Sequence, residues 1–182
     1  MPAASPADVL AFWFSDTARK HWFARSDAFD AALRDALGAL HDRAAAGELD
    51  AWAATASGAL ALVLLLDQAP RNLHRGSARA FATDAAAVRH ARAAIDAGHD
   101  REVDDDARLF FYLPFEHSED LADQDRAVAL CATLPNPLFH DYAIRHRDVV
   151  ARFGRFPHRN AVLGRDSTAE EIEFLKQPGS SF

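Results

Sequence analysis

The chain has 182 residues, 49% of them apolar and 26% charged, which suits one soluble domain with a sizeable core. Forty alanines against 8 glycines, 8 prolines and few β-branched residues predict an all-helical fold. A formal charge of −7 argues against nucleic acid and anionic membranes as partners, and a single cysteine, Cys131, excludes intramolecular disulfides and cysteine-based zinc sites.

Caps and apolar periodicity predict the elements in order. Ser5-Pro6 opens a short helix carrying Val9, Leu10, Trp13 and Phe14, and Ser26 caps a long one carrying Phe29, Leu33, Leu37 and Leu40 up to Gly47. After a connector at Trp52, Ser57 starts the most apolar helix, 58–68, with Pro70 as its stop. Ser77 opens a helix through Phe81, Val88 and Ile95 to Gly98. The next runs from about Asp104 to Leu113 and ends before Pro114. Helices over 118–134 and 137–153 follow, separated by Pro135-Asn-Pro137, the second closed by Gly154. A loop over 154–166 leads to a capping box in Ser167-Thr168-Ala-Glu170-Glu171 and a last helix to Gln177. No alternating strand pattern occurs.

Two long helices end in similar segments, Arg43 to Asp50 and Ala94 to Asp100, about 50 residues apart. This spacing is consistent with antiparallel helical hairpins stacked as repeats, about 8 to 9 helices in all. The expectation is one helical domain over 1–182, with 1–5 and 178–182 as loose tails. Met1 to Pro6 lacks the basic and apolar segments of a signal peptide, and the longest apolar run, Ala59 to Leu66, is far short of the roughly 20 residues that span a bilayer. A cytoplasmic location follows as an expectation; the oligomeric state is not set by the sequence.

Charge is unevenly distributed. Residues 96–125 carry eleven acids against Arg101 and Arg108, and residues 142–165 carry six arginines against Asp148, so the two segments face each other or bracket a charged ligand. Arginine outnumbers lysine 18 to 2, which suits bidentate carboxylate or phosphate recognition, or equally a GC-rich genome.

Three polar clusters carry whatever chemistry there is. The first holds Asp67, Gln68, Arg71 and Asn72 around Pro70; the second holds Glu116, His117, Glu119, Asp120 and Gln124 after Pro114-Phe115. The third is Arg152-Phe-Gly-Arg-Phe-Pro-His-Arg-Asn160 with His146 and Arg165, which brings in Arg155, His158 and Arg159. Guanidinium groups at this density must find acceptors, so the segment reads as one wall of a polar pocket. Capping by Ser118 with acids in the first turn explains Glu119 and Asp120 structurally, whereas Glu116 and His117 lie before that helix. His146 falls on the helix face of Tyr142 and Val149, which suits a satisfied core or supporting role. The sequence has no HExxH, C-x-x-C, G-x-S-x-G, P-loop or G-x-G-x-x-G, so no metal or cofactor is expected.

The clusters resemble the bacterial domain-of-unknown-function family numbered 924. The resemblance rests on Leu65-Leu-Asp-Gln-Ala-Pro-Arg-Asn72, Leu113-Pro-Phe-Glu-His-Ser-Glu-Asp120 with Gln124, and the nonapeptide 152–160, and it covers roughly residues 8–176. It implies an all-α, tetratricopeptide-like arrangement and no particular reaction.

Three readings stay open. In a binding module, Arg71, Arg152, Arg155, Arg159 and Arg165 line a site for a small anion or peptide carboxylate, oriented by Asn72 and Asn160. In an enzyme, His117 with Glu116 or Asp120 performs acid–base chemistry on that ligand. In a structural network, Asp67, Glu119 and Asp120 satisfy the arginines internally.

Overall fold

The structure, a computed structural model, describes residues 5–181. They form two compact units, the first comprising residues 5–75 and 79–114, the second residues 76–78 and 115–181. No strand occurs among the described residues, and no helix is long and apolar enough to cross a membrane.

The first unit begins with α1, Pro6–Trp13, and the single turn α2, Asp16–Arg19. Ser5 and Asp8 close a capping box on α1. Ser26 accepts the Phe29 N–H and starts α3, Asp27–Ala45. A 3₁₀ turn, Asp50–Ala54, then leads to α4, Ala56–Val63. Its cap is Thr55, two residues earlier than the Ser57 start predicted, because the Thr55 hydroxyl reaches the Gly58 N–H. Gly58 is set by the same turn: a Cβ there would lie 2.0 Å from the Trp52 carbonyl oxygen.

Pro70 does not stop this helix. Residues 56–73 form one rod, in which α4 passes through a π turn, Leu64–Gln68, into α5, Ala69–Leu73. The Ala69 N–H bonds back to the Leu64 carbonyl, five residues away. That leaves Leu65 O without its ordinary donor, and Pro70 has no N–H for Leu66 O. Side chains from elsewhere in the unit supply both donors. His41 Nδ1 stands 2.8 Å from Leu65 O, so that nitrogen carries the proton, and the Thr83 hydroxyl donates to Leu66 O at 2.5 Å. The proline rule fails here because tertiary donors replace the missing one.

α3 runs antiparallel to the rod: Asp30 meets Asn72 and Arg75, whereas His41, further along α3, meets Leu65. The core between such elements is nearly all apolar, with Trp13, Leu33, Leu62, Leu64–Leu66 and Leu109–Phe111 fully covered and Trp13 edge-on to Phe110 at 5.5 Å. After a 3₁₀ turn, Ala78–Phe81, α6 spans Asp84–Asp96, so the helix predicted from Ser77 starts seven residues later. Gly98, with φ of 82°, leads into a second 3₁₀ turn, His99–Glu102. α7 is Asp105–Glu116, capped by Asp104, which accepts the Ala107 N–H. Pro114 lies inside α7 rather than after it, and the helix continues for two residues without that donor.

In the second unit, α8 is Leu121–Cys131, not 118–134: Asp120 rather than Ser118 is the cap, accepting the Ala122 N–H. α9, Pro137–Phe153, is capped by Asn136 and closed by Gly154 at φ 69°. α8 and α9 pack on each other as a hairpin. A 3₁₀ turn, Pro157–Arg159, and α10, Ala169–Leu175, complete the unit, α10 opening with the predicted capping box of Thr168 and Glu171. Counting the rod once, nine helices occur among the described residues, in an all-α fold. Residues 1–4 and 182 of the expected tails lie outside the described residues. Ser180 is buried and donates to Leu175 O.

Candidate functional site

The three clusters fall in different units: Asp67, Gln68, Arg71 and Asn72 in the first, the remaining candidates in the second.

In the first unit the π turn places Asp67 and Gln68 in the core, where Gln68 Nε2 donates to Asp67 Oδ2 at 2.5 Å. Arg71, one turn on, answers Asp67 Oδ1 at 3.3 Å and the Asp67 carbonyl, and holds Asp84 with two bonds of 3.0 and 3.2 Å. Asn72 donates to Asp30 Oδ1, which with Oδ2 also takes a fork from Arg75 at 2.8 and 2.9 Å. Burial pulls the Asp30 carboxyl upward, but the bonds from Arg75 and Asn72 outweigh it and hold the group below its usual pKa. Asp30 and Asp84 carry no signal in the sequence, since each is one acid among many on an amphipathic helix.

In the second unit Glu119 joins the acidic segment to the arginine-rich one, as the charge pattern predicts. Its carboxylate takes a bidentate fork from Arg165 at 2.7 and 2.9 Å, and Oε1 also accepts the Phe156 N–H at 2.8 Å. Burial raises the Glu119 pKa, and these hydrogen bonds bring it below its ordinary value. Arg165 Nε donates to Asn160 Oδ1 at 3.0 Å, and Asn160 Nδ2 to Ser167, so the loop 154–166 is tied across itself.

Glu171 does two jobs. Oε2 accepts the Thr168 N–H at 2.7 Å as the reciprocal half of the capping box, and the carboxylate takes Arg155 Nε at 2.6 Å and NH2 at 2.8 Å. The Arg155 bonds, foremost, lower Glu171 to about 2. Its cover is its own partners rather than depth of protein, so hydrogen bonding and not a dry interior causes the shift. Arg152 pairs with Glu170 at the surface, at 2.7 Å.

Imidazoles converge beside these clamps. His146, buried on α9, has Nδ1 2.9 Å from Tyr142 O and 3.0 Å from Glu116 Oε1. A carboxylate at that distance favours an imidazolium. Burial nevertheless dominates and pushes His146 down to about 3, helped by the positive charge of Arg159, so the ring is neutral and Nδ1–H has two acceptors. The His117 ring centre is 6.3 Å from that of His146, and Phe156 is 5.7 Å from His146 and 5.6 Å from His158. The guanidinium of Arg159 lies over the Phe156 ring at 4.5 Å. Burial, then Arg159, lowers His158 to about 4. Gln124 is fully buried and its Nε2 donates to both Glu116 O and Ser118 O at 2.6 Å. Cys131 is covered beside Glu116, and burial raises its thiol well above the usual range.

Glu116 thus meets His146, which the sequence placed in a core or supporting role, and Asp120 is an exposed helix cap. No cluster of three or more metal-ligating side chains occurs among the described residues.

The fold and these clusters define an all-helical protein whose polar segments close on one another through arginine–carboxylate forks. It belongs to the family described as bacterial protein of unknown function (DUF924), whose model matches residues 9–179. It is similar to the solved structure of a protein of unknown function, ATU0120 from Agrobacterium tumefaciens, at 47% identity. That match covers 94% of this chain and 96% of the other, with a TM-score of 0.90. No curated protein matches the chain.

Proposed function

We propose that the second unit binds a small carboxylate-bearing ligand where His117, His146, His158 and Arg159 converge on Phe156. Pairing of Arg71, Arg152, Arg155 and Arg165 with carboxylates supports the structural reading for those four side chains. The ligand reading rests on the imidazoles, beside which the Arg159 guanidinium lies over the Phe156 ring. The observation that carries it is the gathering of three imidazoles from three separate segments, two of them held neutral by burial. Groups with such depressed basicity concentrate at binding and catalytic sites. His117 and His158 are half-buried, placed to donate to a ligand, while Arg159 supplies its counter-charge. The antiparallel pairing of α3 with the rod and the α8–α9 hairpin support the tetratricopeptide-like arrangement, which belongs to the same proposal.

A titration of the isotope-labelled protein with acetate, read on the imidazole nitrogens, tests this. Saturable shifts confined to His117, His146 and His158, with the His158 pKa rising when acetate binds, are expected. His158→Gln should weaken binding about tenfold without unfolding. Shifts that never saturate, or that are unaltered by His158→Gln, refute the reading.

The contact of Glu116 with His146 Nδ1 favours a second reading, in which Glu116 orients His146 as the base of an acid–base reaction on the bound ligand. A ligand recovered unchanged after prolonged incubation with the protein argues against it.

A further inference from the structure

The first unit has an open cleft of about 380 Å³ between α3 and the end of the rod, lined by Arg34, Gly38, Asp42, Leu73, His74 and Arg79. That size is within the range of small-ligand sites. None of these residues belongs to the three clusters described above.

Arg34, Gly38 and Asp42 stand four residues apart on α3 and share one face. Arg34 and Asp42 are thus about 12 Å apart along the axis, at 1.5 Å per residue, with Gly38 leaving a gap midway. Among the described residues the Asp42 carboxylate enters no ion pair, and the Arg34 guanidinium is held by one bond, NH2 to Leu73 O at 3.1 Å. The opposite wall adds the exposed Arg79 and the half-buried His74.

Gly38 is the telling residue. It has ordinary helical backbone, so no left-handed turn requires glycine there. Packing does not require it either: an added Cβ would meet Arg34 Cγ and Leu73 Cδ2 at 3.8 Å, ordinary contact. In a chain with forty alanines, a glycine at mid-helix forgoes helix stability at a position alanine would fit. What the missing side chain leaves is the open floor of the cleft.

We propose that this cleft binds a small zwitterion of the amino-acid type, its carboxylate on Arg34 and Arg79, its ammonium on Asp42, and its apolar middle over Gly38 and Leu73. Cation and anion at opposite ends of one helix face select against ligands with only one charge.

The test uses the full chain and three probes, 5-aminopentanoate, acetate and methylammonium, followed through backbone amide shifts around Gly38. The zwitterion should saturate with an affinity at least about tenfold above either single-charge probe. Asp42→Asn should abolish that advantage and leave acetate binding unchanged. Gly38→Leu, a helix former projecting into open space, should remove binding while the protein melts no lower. Equal affinity for acetate and 5-aminopentanoate overturns the proposal, as does zwitterion binding that survives Asp42→Asn or Gly38→Leu; no saturable shift with any probe overturns it outright.

Discussion

Removing the Thr83 hydroxyl tests the account of the π turn. In the folded protein Leu66 is fully covered and its carbonyl cannot use residue 70, which is proline, so the Thr83 hydroxyl at 2.5 Å is its donor. Thr83→Val keeps the shape of the side chain and leaves that carbonyl unsatisfied. An orphaned buried acceptor costs about 1–3 kcal/mol, and the lower half of the range applies if water enters. Pro70→Ala restores a backbone N–H that can reach Leu66 O, so in that background the same substitution should cost less by about 1 kcal/mol or more. All three tryptophans, Trp13, Trp22 and Trp52, lie in the first unit. Tryptophan fluorescence during urea unfolding therefore reports on this unit, and the four proteins of the cycle give the coupling energy directly. Equal costs in the two backgrounds, within about 0.5 kcal/mol, would refute the claim that Thr83 replaces a donor lost to Pro70.

Arg165→Met should destabilise the second unit by about 1–3 kcal/mol, because Glu119 loses a charge-assisted fork. Limited proteolysis should then cut within 154–166 first, and Arg165→Lys should not restore protection, since one ammonium cannot reproduce the fork. Two substitutions of one kind should have opposite signs. Gly58→Ala drives a Cβ into the Trp52 carbonyl and should lower the melting temperature sharply, whereas Gly38→Ala should raise stability by up to about 1 kcal/mol. Stability should fall with acid in two windows, because groups with depressed folded pKa stabilise above their unfolded values and lose that contribution as pH falls. His158 and His146, at about 4 and 3 against an ordinary 6.5, give the first, below about pH 6.5. Glu171, at about 2 against 4.5, gives the second. Glu171→Gln should flatten only the lower window, and either imidazole found protonated at pH 6 would contradict its placement.

Helix starts were legible where Ser5, Ser26, Asn136 and Thr168 cap within two or three residues, but Thr55 and Asp120 cap as locally and were passed over for the neighbouring Ser57 and Ser118. The misread stops have a different cause. Pro70 and Pro114 signal stops, yet helix runs through both, and for Pro70 the compensation comes from His41 and Thr83, 29 and 13 positions away in the chain. No local pattern contains that information. Ser118 lost the cap to Asp120, because its hydroxyl is taken up with Asp123. Opposite charge in the two segments was readable, and within the second unit it appears as the Glu119–Arg165 fork. The imidazole cluster was only half readable: His117, His146 and His158 stood out singly, and their meeting around Phe156 depends on α7, α9 and the 154–166 loop together.

Two kinds of residue stand within these polar clusters. Glu119 accepts the Phe156 N–H, Glu171 accepts the Thr168 N–H, and Arg71 donates to the Asp67 carbonyl, so each of these charged side chains satisfies backbone at an irregular turn as well as its counter-ion. A buried turn of this sort needs such partners whatever ligand the protein meets. His158 and Arg159 sit on the loop those clamps hold, and His117 follows the end of α7. Burial disfavours the protonated form of His158 and of His146 beside it. Chemistry is therefore better sought at the imidazoles than at the arginines, even though the arginines dominate the sequence. The same reasoning applies to Gly38, where a helix tolerates a weaker residue that neither its backbone nor its packing demands.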